Sequence, residues 1–278
     1  MDGPHISLAA EKIGSIGGLP ITNSILMTWL VMGILTIFAY LSTSNIAKIP
    51  GGLQQVAEVT IDGLYNLFTS VVGSHFIDRF FPLIATIFLF IIFNNWAGLL
   101  PGVGSIGLWE KEEVKQENLV VSDPKQDENS ETKVQVVHEA EKKEKTKLIP
   151  LFRGATADLN TTLAIAIIAV LSIQYYGLQT LGLGYLKKFF NFSNPIMFGV
   201  GLLEIISEFS RIISFAFRLF GNIFAGEVLL TVIAFLMPLI APLPFLGLEL
   251  FVGFIQALVF SMLTAVFLNM ATISHGHE

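Results

Sequence analysis

Residues 195–238 read PIMFGVGLLEIISEFSRIISFAFRLFGNIFAGEVLLTVIAFLMP, and residues 239–272 continue LIAPLPFLGLELFVGFIQALVFSMLTAVFLNMAT. A membrane-crossing helix needs about 20 largely apolar residues to span a hydrocarbon layer about 30 Å thick. The first run, if unbroken, would extend about 64 Å at 1.5 Å per residue, so it must tilt steeply, lie flat or break. The second, at 243–272, is also long, and only the turn around 238–244 separates them. Two such helices joined so tightly imply a strongly tilted hairpin inside the membrane.

Charge is placed in this hairpin where charge is expensive, since an ionisable group at mid-bilayer costs at least roughly 2.5–3.5 kcal/mol. Glu204, Glu208, Arg211, Arg218, Asn222 and Glu227 lie in the first helix, and Glu249 and Gln256 in the second. At about 100° per residue, Arg211, Glu204, Asn222 and Glu208 fall within roughly 80° of Arg218, a polar stripe on an apolar helix. Glu227 falls on the opposite side, which suggests two distinct aqueous environments. Glu249 and Gln256, seven residues apart, present a second stripe. Glu204, Glu208 and Arg211 have helical neighbours three or four residues away and can form internal ion pairs. Arg218 has no acid within one turn and stays charged at any reachable pH, so its partner should lie on another helix or another chain. The rows Gly253, Ala257, Ser261 and Gly221, Ala225 follow the small-x-x-x-small spacing of close helix packing, most simply within the chain.

Outward from the hairpin the whole chain has the same character. Of 278 residues, 53% are hydrophobic and 14% charged, against about 25% charged in a soluble domain, so one membrane domain is expected. Further spans are expected at about 21–41, 82–100 and 159–186, giving an all-α protein with five membrane-embedded helices. Residues 53–72 form a sixth helix of another kind. Leu53, Val56, Ile61, Leu64, Leu67, Phe68, Val71 and Val72 share one face and Gln55, Glu58, Asp62 and Asn66 the other, the pattern of an interfacial amphipathic helix or equally of one packed against a partner. Residues 109–147 are charged and nearly aromatic-free. They cannot bury enough apolar surface to offset ordering and read as a flexible insertion.

Several functions are excluded or disfavoured. Without cysteine there is no disulfide, thiolate metal site or cysteine nucleophile, and neither a cofactor nor a metal is expected. The formal charge of -6 is no nucleic-acid footprint. The N-terminal residues lack the basic start of a secretory signal, so the first span reads as a retained anchor.

The run RLFGNIFAGE at 218–227 resembles the signature of subunit a of the rotary ATP synthases. It is joined by LEIISEFSRIIS at 203–214, FIQALVF at 254–260, NNWAGLLP at 94–101 and TADLNTTL at 156–163. The resemblance covers nearly the full chain outside the insertion. It implies a non-catalytic, proton-translocating subunit whose last two helices lean against a rotor, the c-ring, with peripheral stalk subunit b, other synthase subunits and lipid as partners. Arg218 is similar to the family's essential arginine. Asn222, Gln256, Glu227 and Glu249 resemble its proton access path, Asn95, Thr156, Asp158 and Asn160 the entrance, and Glu204 the exit to the cytoplasm. Gly98 sits where some relatives carry an acid, and Glu249 where some carry histidine.

The resemblance implies an integral protein of a bacterial inner membrane, with its N-terminus outside and C-terminus cytoplasmic. Lys48, Arg79, Lys187 and Lys188 in short loops agree with that orientation. The eight lysines of the insertion fall on the other side, but long loops obey the positive-inside rule poorly. A self-contained ion transporter or antiporter would also bury acids and an arginine, yet no internal repeat with paired broken helices supports one. A structural scaffold would leave both polar stripes without a role.

Overall fold

The computed structural model describes residues 9–73, 77–104, 106–117, 140–189, 195–238 and 240–273. Two short strands, β1 (Lys12–Ile16) and β2 (Leu19–Thr22), precede six helices: α1 (Asn23–Thr43), α2 (Leu53–Val72), α3 (Ile77–Ala97), α4 (Leu159–Leu181), α5 (Pro195–Leu236) and α6 (Pro242–Thr272). All except α2 are long and apolar enough to cross a membrane, so the expected five spans are present. α2 has the expected bounds and turns Leu64, Phe68 and Val72 inward, while Glu58 and Asp62 are exposed.

Helix ends differ from the hydropathy reading for local reasons. Thr22 starts α1 two residues later than expected by accepting a hydrogen bond from the Ile25 amide at 3.4 Å. α3 begins at Ile77 and carries Pro82 inside it, where the ring removes only one backbone donor. α4 stops at Leu181 because Gly182 adopts φ +59°, the left-handed conformation glycine provides at helix ends. A 3-10 helix, Gly182–Lys188, then takes the chain onward.

α5 runs 42 residues without a break, so of the options open to so long a segment, breaking is the one it does not take. α3 is the centre of the core: its Phe80, Ile84 and Ile91 are fully buried, together with Phe68 of α2, Ile173 of α4, Leu219 of α5 and Phe260 and Leu268 of α6. Phe215 of α5 meets Phe260 of α6 with ring centroids 4.9 Å apart. Only part of α5 is held this way. Ile206, Phe209, Ile213 and Phe217 remain exposed, an apolar face suited to lipid or to a partner.

The flanks of the insertion pair as β3 (Gly107–Glu117) and β4 (Ala140–Pro150), in register from Gly107 opposite Pro150 to Glu117 opposite Ala140. Composition did not foretell that ladder. Residues 118–139, the middle of the insertion, lie outside the described residues. If the activity is the one the resemblance to subunit a implies, replacing residues 111–145 by a short flexible linker keeps the innermost rungs of the ladder and should leave ATP-driven proton pumping largely intact. Loss of pumping by a fully assembled complex would show that the insertion takes part in transport.

Candidate functional site

The helices converge on one cavity of about 660 Å³, whose wall includes Asn95, Gly98, Arg153, Glu227 and Glu249. It has room and polar lining enough for a chain of waters. Asn95 near the end of α3 accepts a hydrogen bond from the Thr156 hydroxyl at 2.7 Å and donates to the Gly253 carbonyl of α6 at 2.9 Å. Thr156 thereby reaches the cavity through Asn95. The small residue at 253 allows this approach, because a Cβ there would stand 3.2 Å from that of Asn95.

Glu249 is only 6% exposed and its carboxyl packs against Gly226 of α5 so closely that a Cβ at 226 would overlap it. Glu227, one residue on, faces the same cavity and forms a forked ion pair with Arg153, whose Nε lies 3.1 and 3.3 Å and Nη2 3.2 Å from its oxygens. Arg153 is 7% exposed and sits just ahead of the 3-10 turn Ala155–Ala157. A paired and hydrogen-bonded guanidinium is the form in which such a charge can be buried.

The other expected residues divide into three groups. Asn222 donates to the Gln256 carbonyl oxygen at 2.6 Å, with Gln256 only 3% exposed, so the two polar stripes do meet across α5 and α6. Asp158 caps α4 through the Asn160 amide at 3.1 Å and accepts from Ser24 of α1 at 2.7 Å. It is buried beside the cavity without lining it, and Asn160 is exposed. Glu204 lies elsewhere, 2.7 Å from Lys188, in a separate pocket of about 200 Å³ that also holds Tyr185, Glu208 and Arg211. There Arg211 pairs with Glu208 at 2.6 Å and its guanidinium lies 3.9 Å from the Phe267 ring centre. Burial, followed by the charge of Glu208, pushes the Tyr185 phenol up to about 12, so it stays protonated and donates to Gln174 at 2.8 Å.

Arg218 differs from all of these. Its side chain is exposed on α5 between Phe217 and the buried Leu219, and among the described residues it has no hydrogen bond or ion pair. Along the axis, at about 1.5 Å per residue, it stands roughly 14 Å from Glu227 and roughly 21 Å from Glu204. A fixed cation thus separates two polar pockets.

Residues 25–269 match the family described as ATP synthase A chain. Over 274 residues the chain is 33% identical to ATP synthase subunit a of Gloeobacter violaceus, covering 96% of this chain and 93% of that relative. The chain belongs to the ATP synthase subunit a family. It is therefore an integral membrane subunit of an ATP synthase and a partner of the other subunits of that complex.

The sequence reading missed Arg153 and Gly226, and took Lys188 only as a loop charge. Arg153 lies three residues before the TADLNTTL motif, and its isolation in an otherwise uncharged stretch was the available signal. Gly226 is one glycine in a glycine-rich run, and nothing in one dimension marks it as the neighbour of Glu249. The departure at Gly98 has a steric basis. A Cβ there would stand 3.0 Å from the Gly154 Cα, so an acid at 98 requires this backbone to move.

Proposed function

We propose that the chain forms two offset proton half-channels and holds Arg218 against the carboxyls of the c-ring, converting proton flow into rotation for ATP synthesis. The observation that carries this reading is Arg218 itself: a permanent charge on the open apolar face of α5, with no partner among the described residues. A guanidinium so placed in a membrane calls for an anion from outside the chain. Gly221, where a Cβ would meet nothing within 4 Å, and the exposed Ala225 extend that face as a low, close-approach surface.

In this mechanism a proton enters through the cavity of Asn95, Glu227 and Glu249 and passes by Asn222 and Gln256 to a rotor carboxylate. The neutral carboxyl can then travel through lipid. After nearly a full turn it reaches Arg218, where a fixed cation within about 4–6 Å favours its ionised form, and the proton leaves past Glu204. Because a guanidinium does not lose its proton, Arg218 also bars direct passage between the half-channels. Each charge moved down 100 mV releases about 2.3 kcal/mol, so several must cross per ATP. Subunit b, the bacterial inner membrane and an external N-terminus complete the assignment by family likeness.

The relay is tested by Glu249→Gln and Glu227→Gln in reconstituted vesicles. Each amide should slow proton pumping severalfold with the complex assembled, and the double variant should be slower than either. A normal rate in the double variant would remove both acids from the path. The self-contained transporter makes the opposite prediction for purification: in mild detergent it would arrive without a ring of small hairpin subunits and would still move ions after reconstitution.

A further inference from the structure

The entry cavity has a wall that the helices do not supply. Glu11, in the segment leading into β1, lines it together with Asn23, Arg153, Glu227 and Glu249. That segment is fastened at two points, and α1, into which it leads, at a third. The second amino group of Arg153, Nη1, donates to the Ala9 carbonyl at 3.1 Å while the rest of the guanidinium holds Glu227. The Asn23 amide donates to the Glu11 carbonyl at 3.1 Å, and the Asn23 side chain donates to the Pro150 carbonyl at 3.3 Å. β1 and β2 pair antiparallel through a turn at Gly17 and Gly18 with φ of +60° and +89°, the two-residue geometry that suits a hairpin and that glycine permits. The segment is therefore held from two sides, by the Asn23 amide at the start of α1 and by one buried arginine across the cavity.

Resting on the reading of this cavity as the proton entrance, we propose that residues 9–22 are a latched wall of the entrance, with Arg153 as its latch and Glu11 as a further proton-carrying carboxyl. Arg153 is a positioning residue: one guanidinium ties the Ala9 backbone to the relay acid Glu227, so wall and relay are set together. Glu11 takes a proton arriving from the entry side and releases it to water inside the cavity, returning to the carboxylate after each transfer. The charged groups that share its surroundings are Arg153 from the loop before α4, Glu227 from α5, Glu249 from α6 and its chain neighbour Lys12.

The test uses the whole synthase in vesicles, with ATP synthesis driven by an imposed proton gradient at a series of entry-side pH values. Glu11→Gln should lose rate severalfold at alkaline entry-side pH, where protons are scarce, and little at acidic pH, while Glu11→Asp should recover most of the loss. A Glu11→Gln profile parallel to that of the parent would overturn the role of Glu11. For the latch, Leu246→Cys, at the cavity wall in a chain without other cysteines, reports access to an impermeant maleimide. Adding Arg153→Gln should raise its labelling rate severalfold, and an unchanged rate would overturn the latch. If Arg153→Gln fails to assemble, Arg153→Lys carries the same test, since an ammonium has the donors but not the planar fork that spans the Glu227 carboxylate and the Ala9 carbonyl. The Glu227→Gln and Glu249→Gln double variant, run beside these, separates the two claims. A normal rate in it would sink the entrance reading as a whole, whereas a slowed rate with an unaltered Glu11→Gln profile would sink only the role of Glu11.

Discussion

Arg218→Ala is expected to abolish ATP synthesis while leaving the complex assembled. The side chain is exposed and has no partner among the described residues, so its removal breaks no internal ion pair and opens no cavity in the core. Its neighbours Ala216 and Leu219, which do pack inward, are untouched. What disappears is the charge that would meet a rotor carboxylate and separate the cavity at Glu227 from the pocket at Glu204. Passive proton leak through the membrane sector is expected to rise for the same reason. Arg218→Lys should fail or be severely impaired, because an ammonium is a compact point charge that can lose its proton in apolar surroundings. Synthesis under an imposed proton gradient, measured with the intact complex in vesicles, decides the matter. A near-normal rate for the alanine variant would remove Arg218 from the mechanism.

The sequence made this residue visible for a simple reason. In a membrane protein every charge in an apolar run needs an explanation, and helical periodicity tells which charges can explain one another. It paired Glu208 with Arg211 as one of the local options and left Arg218 alone, and the folded chain agrees on both points. The opposed direction of Glu227 was equally legible, because an unbroken α5 preserves the angle between positions 218 and 227.

Tertiary neighbours were not legible from the pattern. One turn along its own helix Glu204 has only another acid, Glu208, and its partner is Lys188 from the preceding 3-10 helix. Glu227 meets Arg153, 74 positions away. These pairs depend on how α4 and its flanking turns dock against α5, which no periodicity within one helix encodes. Spans were easier to place than their ends, which Thr22 and Gly182 set by local hydrogen bonding and backbone conformation.

Gly226 shows how a residue without a side chain can govern one that has chemistry. Gly226→Ala would place a methyl group where the Glu249 carboxyl now lies. The obstructed group is the far end of a flexible side chain, so the carboxyl should swing away while α5 and α6 keep their packing through Phe215 and Phe260. Assembly and thermal stability are expected to change little. Proton transfer should suffer far more, because displacing a reacting group by about 1 Å can cost on the order of 100-fold in rate. Pumping by Gly226→Ala is therefore expected to fall by about 10- to 100-fold. Shortening the acid should relieve the clash, so Gly226→Ala combined with Glu249→Asp should pump faster than Gly226→Ala alone, even though Glu249→Asp by itself is slower than the parent. Reconstituted vesicles with a pH-sensitive dye measure all three rates. Additive losses in the double variant would mean that the two positions act independently, and a normal rate in Gly226→Ala would mean that the position of the Glu249 carboxyl does not matter for transport.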